Sequence, residues 1–278
     1  MDSTIKIAAL PLDIVWADIE RNLLTVAEKL TGIRPDTDIL VLPELFSTGF
    51  VQDEAMLRNL AATSAQMTLA AVKLWSSRFN MAIAGSYLAS IGSKIVNRGF
   101  FIEPSGETTF YDKHHLFCLS AESRIFSKGM ELPPVIRFRG WNFSLIVCYD
   151  LRFPVWCRNR NQRYDILLVP ANWASARGYA WRQLLIARAI ENQSVVVGAN
   201  RSGHDDYGDY NHQSFIFDPF GKELAPSCPM NDSGHGLDTA NSPDSFIYAE
   251  YTMAQLSKVR SYLPVGNDAD SFQIVMED

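Results

Sequence analysis

The sequence predicts an α/β fold of two pseudo-symmetric halves, and three observations carry that expectation. First, short runs apolar on both faces, such as Asp38-Ile-Leu-Val-Leu-Pro-Glu44, alternate with longer segments of helical periodicity. Strands of that kind need other layers above and below them. Second, the runs echo each other in order. Asp38-Ile-Leu-Val-Leu-Pro-Glu44 is matched by Asp165-Ile-Leu-Leu-Val-Pro-Ala-Asn172, and Met81-Ala-Ile-Ala-Gly-Ser86 by Val195-Val-Val-Gly-Ala-Asn200. Gly99-Phe-Phe-Ile-Glu-Pro-Ser-Gly106 is matched by Ser214-Phe-Ile-Phe-Asp-Pro-Phe-Gly221, each closing on a turn with Pro and Gly. A helix-like segment also sits in the same place in each half, over 64–80 and over 177–192. One such match is what common strand motifs give by chance; four in the same order make an arrangement. Third, no Pro-, Ser- or Gly-rich linker divides the chain, so residues 1–278 read as a single domain.

The remaining elements follow from local pattern. Residues 1–10 lack the basic, apolar, small-residue layout of a signal peptide and read as an opening strand. Ile19, Leu23, Val26 and Leu30 recur at helical spacing, predicting a helix over about 16–30 that Gly32 and Pro35 stop. Phe110-Tyr-Asp-Lys113 and Ser144-Leu-Ile-Val-Cys148 are apolar strands ending in a reactive side chain. Two polar stretches, 202–211 and 227–245, read as loops, the longer one a mobile surface excursion.

Composition narrows the function. With 47% hydrophobic and 20% charged residues, the chain has ample material for a core. A net charge of -6 argues against a nucleic-acid surface, and no apolar run approaches a membrane span. Cys118, Cys148, Cys157 and Cys228 form no C-x-x-C pair and no metal-type spacing. That pattern suits free thiols in a reducing, cytoplasmic setting. His114 and His115 are adjacent, so on a strand they would face opposite ways and could not grip one metal. No metal and no organic cofactor is expected.

Three strand ends therefore offer a thiol, a carboxylate and an amine, enough for nucleophilic hydrolysis without histidine or metal. Taken singly, each residue has a plainer reading. Cys148 is equally a small buried hydrophobe, Glu44 a solvated strand-end carboxylate, and Lys113 a surface lysine paired with Asp112. Burial would raise the pKa of Glu44 and make it a better base toward a thiol. An ammonium beside Cys148 would favour its thiolate.

Taken together, Glu44 in LPELFSTGF, Lys113 in YDKHHLF and Cys148 in LIVCYDLRFP resemble the Glu-Lys-Cys triad of the nitrilase (carbon–nitrogen hydrolase) superfamily. Ala171-Asn172-Trp173, the segment Ala187-Arg-Ala-Ile-Glu-Asn-Gln193 and Gly198-Ala-Asn-Arg201 extend the likeness, which runs from about residue 5 to about 256. The resemblance implies a four-layer α-β-β-α sandwich. It also implies Cys148 as nucleophile through a thioester, Glu44 as general base, and Lys113 with the backbone N–H of Tyr149 as oxyanion donors. Glu122 would be the second glutamate, positioning Lys113 or substrate. CYDLRFPVW, PANW and ARAIENQ most resemble the ω-amidase branch, which cleaves the terminal amide of 2-oxoglutaramate or 2-oxosuccinamate. Other amidase, carbamoylase and nitrilase branches are the alternatives, and a catalytically silent binding protein is a third; rapid iodoacetamide labelling of Cys148 would argue against the last.

An ω-amidase substrate carries a carboxylate far from its amide, and a bidentate arginine is the natural clamp. Arg177 and Arg201 are the candidates, with Arg177 favoured; Arg152 and Arg188 are expected in structural ion pairs, Arg188 with Glu191. Phe117, Asn172 and Trp173 are candidate pocket residues. A small-molecule amide is the expected partner, and a homodimer is expected from the resemblance.

Overall fold

The computed structural model of the chain describes residues 3–211, 213–224 and 245–276. The predicted loop at 227–244, Cys228 and His212 lie outside the described residues. In chain order the first half runs β1 (Thr4–Ala9), α1 (Ile19–Leu30), β2 (Ile39–Val41), α2 (Glu54–Phe79), β3 (Ala82–Ile91), β4 (Lys94–Ile102) and β5 (Thr108–Asp112). A short helix α3 (Glu122–Ile125) leads to β6 (Ile136–Phe138) and β7 (Trp141–Leu145). After a 3-10 turn at Cys148–Arg152 come α4 (Pro154–Cys157), β8 (Ile166–Ala171), α5 (Gly178–Asn192) and β9 (Val195–Asn200). The chain continues through β10 (Gly203–Asp205), β11 (Gly208–Tyr210), β12 (Phe215–Phe217), β13 (Ile247–Thr252) and α6 (Met253–Tyr262).

Two sheets form, in the orders β13-β1-β2-β3-β4-β5 and β12-β9-β8-β7-β6. Each has a parallel trio at its heart, β1-β2-β3 in one and β7-β8-β9 in the other, flanked by antiparallel strands. The sequence echo is therefore a structural one. β2 corresponds to β8, β3 to β9 and β4 to β12, while α2 and α5 occupy the same crossover.

Alternation along the strands sorts the core. Ile7, Ala9, Ile39, Val41, Ala82 and Ala84 face the second sheet and meet Phe143, Leu145, Ile166 and Leu168. Their neighbours Ala8, Leu40 and Ile83 face the other way, onto Val26 and Leu30 of α1 and Val72 and Trp75 of α2. On the far side α5 lays Trp181, Leu185 and Ala189 onto the second sheet. At Gly198 a Cβ would stand 2.5 Å from Leu185 Cδ1, so only glycine lets α5 sit that close. The four layers are helices, sheet, sheet and helix.

Two boundaries differ from expectation. α2 starts ten residues early, at Glu54 rather than 64, because Asp53 caps it: its carboxylate accepts the Met56 N–H at 2.8 Å. The stretch 202–211, read as a loop, contains the hairpin β10-β11, paired from Gly203↔Tyr210 to Asp205↔Gly208. Among the described residues no helix is long and apolar enough to cross a membrane.

Candidate active site

Both parallel trios end on the same side of the molecule, and their exits supply the site. β2 leaves through Leu42 and Pro43 to Glu44, whose backbone N–H donates to Ala171 O at the end of β8 (3.3 Å). That bond stitches the two sheets together where the functional groups lie. Leu45 then turns with a positive φ of 49°, and its N–H donates to Ser86 Oγ at 2.9 Å. β5 delivers Lys113, held by its own N–H to Asn97 O (2.9 Å). β7 delivers Cys148, whose φ of 46° is unusual for a residue with a side chain. The thiol is thus set on a strained corner at the start of a 3-10 turn.

Lys113 does not pair with Asp112, which instead takes a bidentate pair from Arg98 at 2.7 and 2.9 Å. The lysine is 1% exposed and lies between two carboxyl groups. Its Nζ donates to Glu44 Oε1 at 2.8 Å and to both Glu122 oxygens at 2.8 Å. Burial alone would lower its pKa, but Glu122 and Glu44 more than offset this and hold it above the ordinary value. Glu122 is held by the Phe117 N–H at 2.7 Å, and Asn172 N–H donates to Glu44 Oε2 at 2.9 Å. Asn97 donates to Glu44 (2.8 Å) and to Glu122 (3.3 Å). Sequence reasoning missed Asn97; its signal was an amide in the apolar run of β4, where a buried polar group needs a purpose.

Lys113 favours the thiolate, as the sequence reading expects, but it does not act on the thiol alone. Two carboxyl groups flank the one ammonium of this buried cluster, so a thiolate would compete with them for it. Burial pushes the Cys148 thiol well above its usual range, Glu44 pushes the same way, and Lys113 only partly opposes them.

The turn carrying Cys148 is pinned by Asp150, which is fully buried. Its carboxylate accepts from Tyr111 Oη (2.8 Å), His115 N–H (2.9 Å) and Val147 N–H (3.1 Å), and pairs with His115 Nδ1 (2.8 Å). The two histidines are not on a strand: they follow β5 in a bend, with rings 4.6 Å apart. His115 is committed to Asp150, and His114 Nδ1 lies 2.6 Å from Gly129 O.

A pocket of about 230 Å³ opens above these groups. Glu44, Lys113, Cys148, Tyr149, Phe117, Asn172, Trp173 and Arg177 all line it, while Glu122 stands behind Lys113. Trp173 is fixed by Asn200, which accepts its N–H at 2.7 Å and donates to its carbonyl at 2.8 Å. The Asn172 side chain has neither its oxygen nor its nitrogen satisfied by protein, although both atoms are buried.

The arginines are reassigned. Arg201 does not line the pocket: it is fully buried, ion-paired to Asp205, and donates to Ile14 O at 3.1 Å. Its guanidinium lies 4.2 Å from the ring of Tyr210, which does line the pocket. Arg152, expected in a structural ion pair, has no carboxylate partner among the described residues and lines the pocket, 4.8 Å from the Trp173 ring. Arg177 likewise lies 5.2 Å from the Phe117 ring with no acidic partner among them. Arg188 does pair with Glu191, at 3.0 Å. The hairpin adds Tyr207 to the rim, a residue the sequence hid in a stretch read as a loop.

The chain is similar to known proteins over nearly its whole length. A family model described as carbon-nitrogen hydrolase matches residues 6–237. The chain is 38% identical over 272 residues to the omega-amidase YafV of Escherichia coli K12, covering 97% of this chain and 98% of that protein. It is 30% identical over 265 residues to the 2-oxoglutaramate amidase of Bacillus subtilis, covering 94% and 96%. A crystal structure of a CN-hydrolase superfamily protein from Xanthomonas campestris superposes with a TM-score of 0.85 at 30% identity, covering 99% of this chain and all of that one.

Proposed function

The chain belongs to the carbon–nitrogen hydrolase family, and from that premise we propose that it is an ω-amidase, releasing ammonia from 2-oxoglutaramate or 2-oxosuccinamate. One observation carries the choice of substrate: a small pocket with the thiol cluster at its base and two guanidinium groups, Arg152 and Arg177, unpaired with any described acid on its walls. Its volume of about 230 Å³ is below the roughly 300–1,000 Å³ of sites for drug-sized ligands. A short dicarboxylic monoamide suits that space, with its carboxylate against the arginines.

The amide carbonyl enters beside Lys113 and the Tyr149 N–H. That N–H lies in the first turn of the 3-10 segment, where backbone donors have no intrahelical acceptor. One bifurcated N–H of Lys113 satisfies both oxygens of Glu122, leaving a proton for the developing oxyanion. Glu44 takes the thiol proton as Sγ attacks, so a thiolate never persists alone in the buried site. Collapse of the tetrahedral intermediate passes that proton to the departing nitrogen and leaves a thioester on Cys148. Glu44 then deprotonates the water that attacks the thioester; the C–S bond breaks, the proton passes from Glu44 to the departing Cys148 sulfur, and the second carboxylic acid leaves as its carboxylate.

We further place the protein in the cytoplasm as a homodimer. Free thiols at Cys118, Cys148 and Cys157 suit the first, and exposed Tyr179 and Ile190 on α5 with Tyr262 on α6 suit the second. A steady-state comparison of 2-oxoglutaramate, deaminated glutathione, glutamine, asparagine and benzonitrile tests the activity. The expected order puts 2-oxoglutaramate first. Turnover of deaminated glutathione or benzonitrile without turnover of 2-oxoglutaramate would refute it.

A further inference from the structure

A second cavity, of about 370 Å³, lies between the turn after α4 and the segment after α6. Arg158, Arg160 and Arg163 line it from one side, and Gly266, Ser271 and Phe272 from the other. It shares no residue with the active-site pocket. The chain has more acids than bases, 31 against 25, and Arg98, Arg139, Arg182, Arg188, Arg201 and Arg260 all hold carboxylates. None of these three does so among the described residues.

Their hydrogen bonds leave most donors open. Arg158 Nη1 donates to Glu191 O and Arg163 Nη2 to Pro133 O, each at 3.3 Å. Arg163 Nε is buried with no partner at all. The Arg160 guanidinium lies 5.6 Å from the Phe272 ring. Burial, and then the neighbouring Arg160, pull the pKa of Arg163 below its ordinary value, so two like charges are crowded without compensation. Asp270 is the sole carboxylate in the lining; it is exposed and makes no ion pair among the described residues. Three positive charges against one leave the lining at net +2.

The backbone adds an independent sign. Asn161 and Gln162 both have positive φ, 54° and 50°, and two such residues in succession are costly without glycine. The turn is braced from outside: a Cβ on Gly266 would stand 2.5 Å from Gln162 Nε2, so the C-terminal segment sits directly against it. The chain thus sustains strain in the stretch that presents three guanidinium groups, against one carboxylate, to one space.

We propose that this cavity is a second binding site that takes a phosphate group. A carboxylate is planar and is satisfied by one guanidinium fork, whereas a phosphate offers three oxygens and close to two charges, matching donors supplied from three positions. The volume leaves room for a small organic portion against Phe272.

Calorimetric titration at fixed ionic strength tests this with inorganic phosphate, glycerol phosphate and glutarate. Wild type should show one saturable phosphate site. Arg160→Gln/Arg163→Gln should weaken it about tenfold or more while leaving amide turnover unchanged, and Arg152→Gln/Arg177→Gln should leave it intact. If the double variant does not fold, Arg158→Gln should reproduce the weakening. Binding of the inorganic ion alone identifies free phosphate as the occupant, and binding of glycerol phosphate as well identifies a monoester. No saturable heat, binding unchanged without Arg160 and Arg163 (or Arg158), binding lost with Arg152 and Arg177, or glutarate bound as tightly as phosphate would each overturn the proposal. None of these outcomes bears on the amidase activity, whose residues line the other pocket.

Discussion

At the scale of single residues, the proposed reacting groups were legible because each stands where an apolar strand stops, and strand exits are where side chains are both rigid and reachable. Their pairing was not legible. Lys113 looks in sequence like a cation for the thiol, but Glu122 is drawn in from α3 and, with Glu44, flanks the lysine. Only the fold reveals that pairing. Arginine roles were the least legible, since exposure and pairing decide them: Arg201 is consumed by Asp205, while Arg152 and Arg177 keep their charges for the pocket. Removing one charge-assisted contact to a substrate carboxylate costs about 1.5–3 kcal/mol, or roughly 10–100-fold. Arg177→Gln should therefore lower kcat/KM for 2-oxoglutaramate by that factor, mainly through KM. Turnover of butyramide, which has no carboxylate, should be unchanged, and an equal loss on both amides would remove Arg177 from carboxylate recognition.

Elements were read well where periodicity is long and poorly where strands are short and polar. The parallel trios and their crossover helices followed from apolar runs and their echo. β10 and β11, with His204 and Asp209 outward and three residues each, carry no apolar alternation to find. The corner at Cys148 was also invisible, because a positive φ there depends on what holds the following turn. Asp150 holds it through four bonds, which makes it a positioning residue. Asp150→Asn places an amide donor among groups that already donate, leaving a buried N–H unsatisfied at about 1–3 kcal/mol of stability. A displaced nucleophile loses about 10²-fold in rate. The variant should thus lose kcat by that order with KM little changed, at a temperature where circular dichroism reports it folded. A rise in KM with kcat preserved would assign Asp150 to binding instead.

For the whole molecule, the two-sheet sandwich buries groups that resist ionisation, and this sets how stability responds to alkali. Burial pushes the Cys157 thiol up to about 12, and Tyr111 and Tyr164 well above their usual value. Each such group keeps its proton in the folded state while the unfolded chain releases it. Its stabilisation is therefore complete below the unfolded pKa and is lost as pH rises toward the folded one. Each contributes a loss of up to about 1.4 kcal/mol per pH unit. Urea unfolding should show stability falling from about pH 9, where Cys157 enters, and more steeply past pH 10, where the tyrosines join. Stability unchanged between pH 8 and 11 would contradict the burial of these groups.

The proposed activity rests on one buried cluster of a thiol, a carboxylate and a tethered ammonium acting as a unit. The most direct measurement is ammonia release from 2-oxoglutaramate by wild type and by Cys148→Ala, compared at matched circular dichroism. The wild type should turn over, and the variant, which loses only a sulfur at the end of β7, should fold normally and fall by about 10³-fold or more. A folded Cys148→Ala protein that still releases ammonia at the wild-type rate would contradict the account.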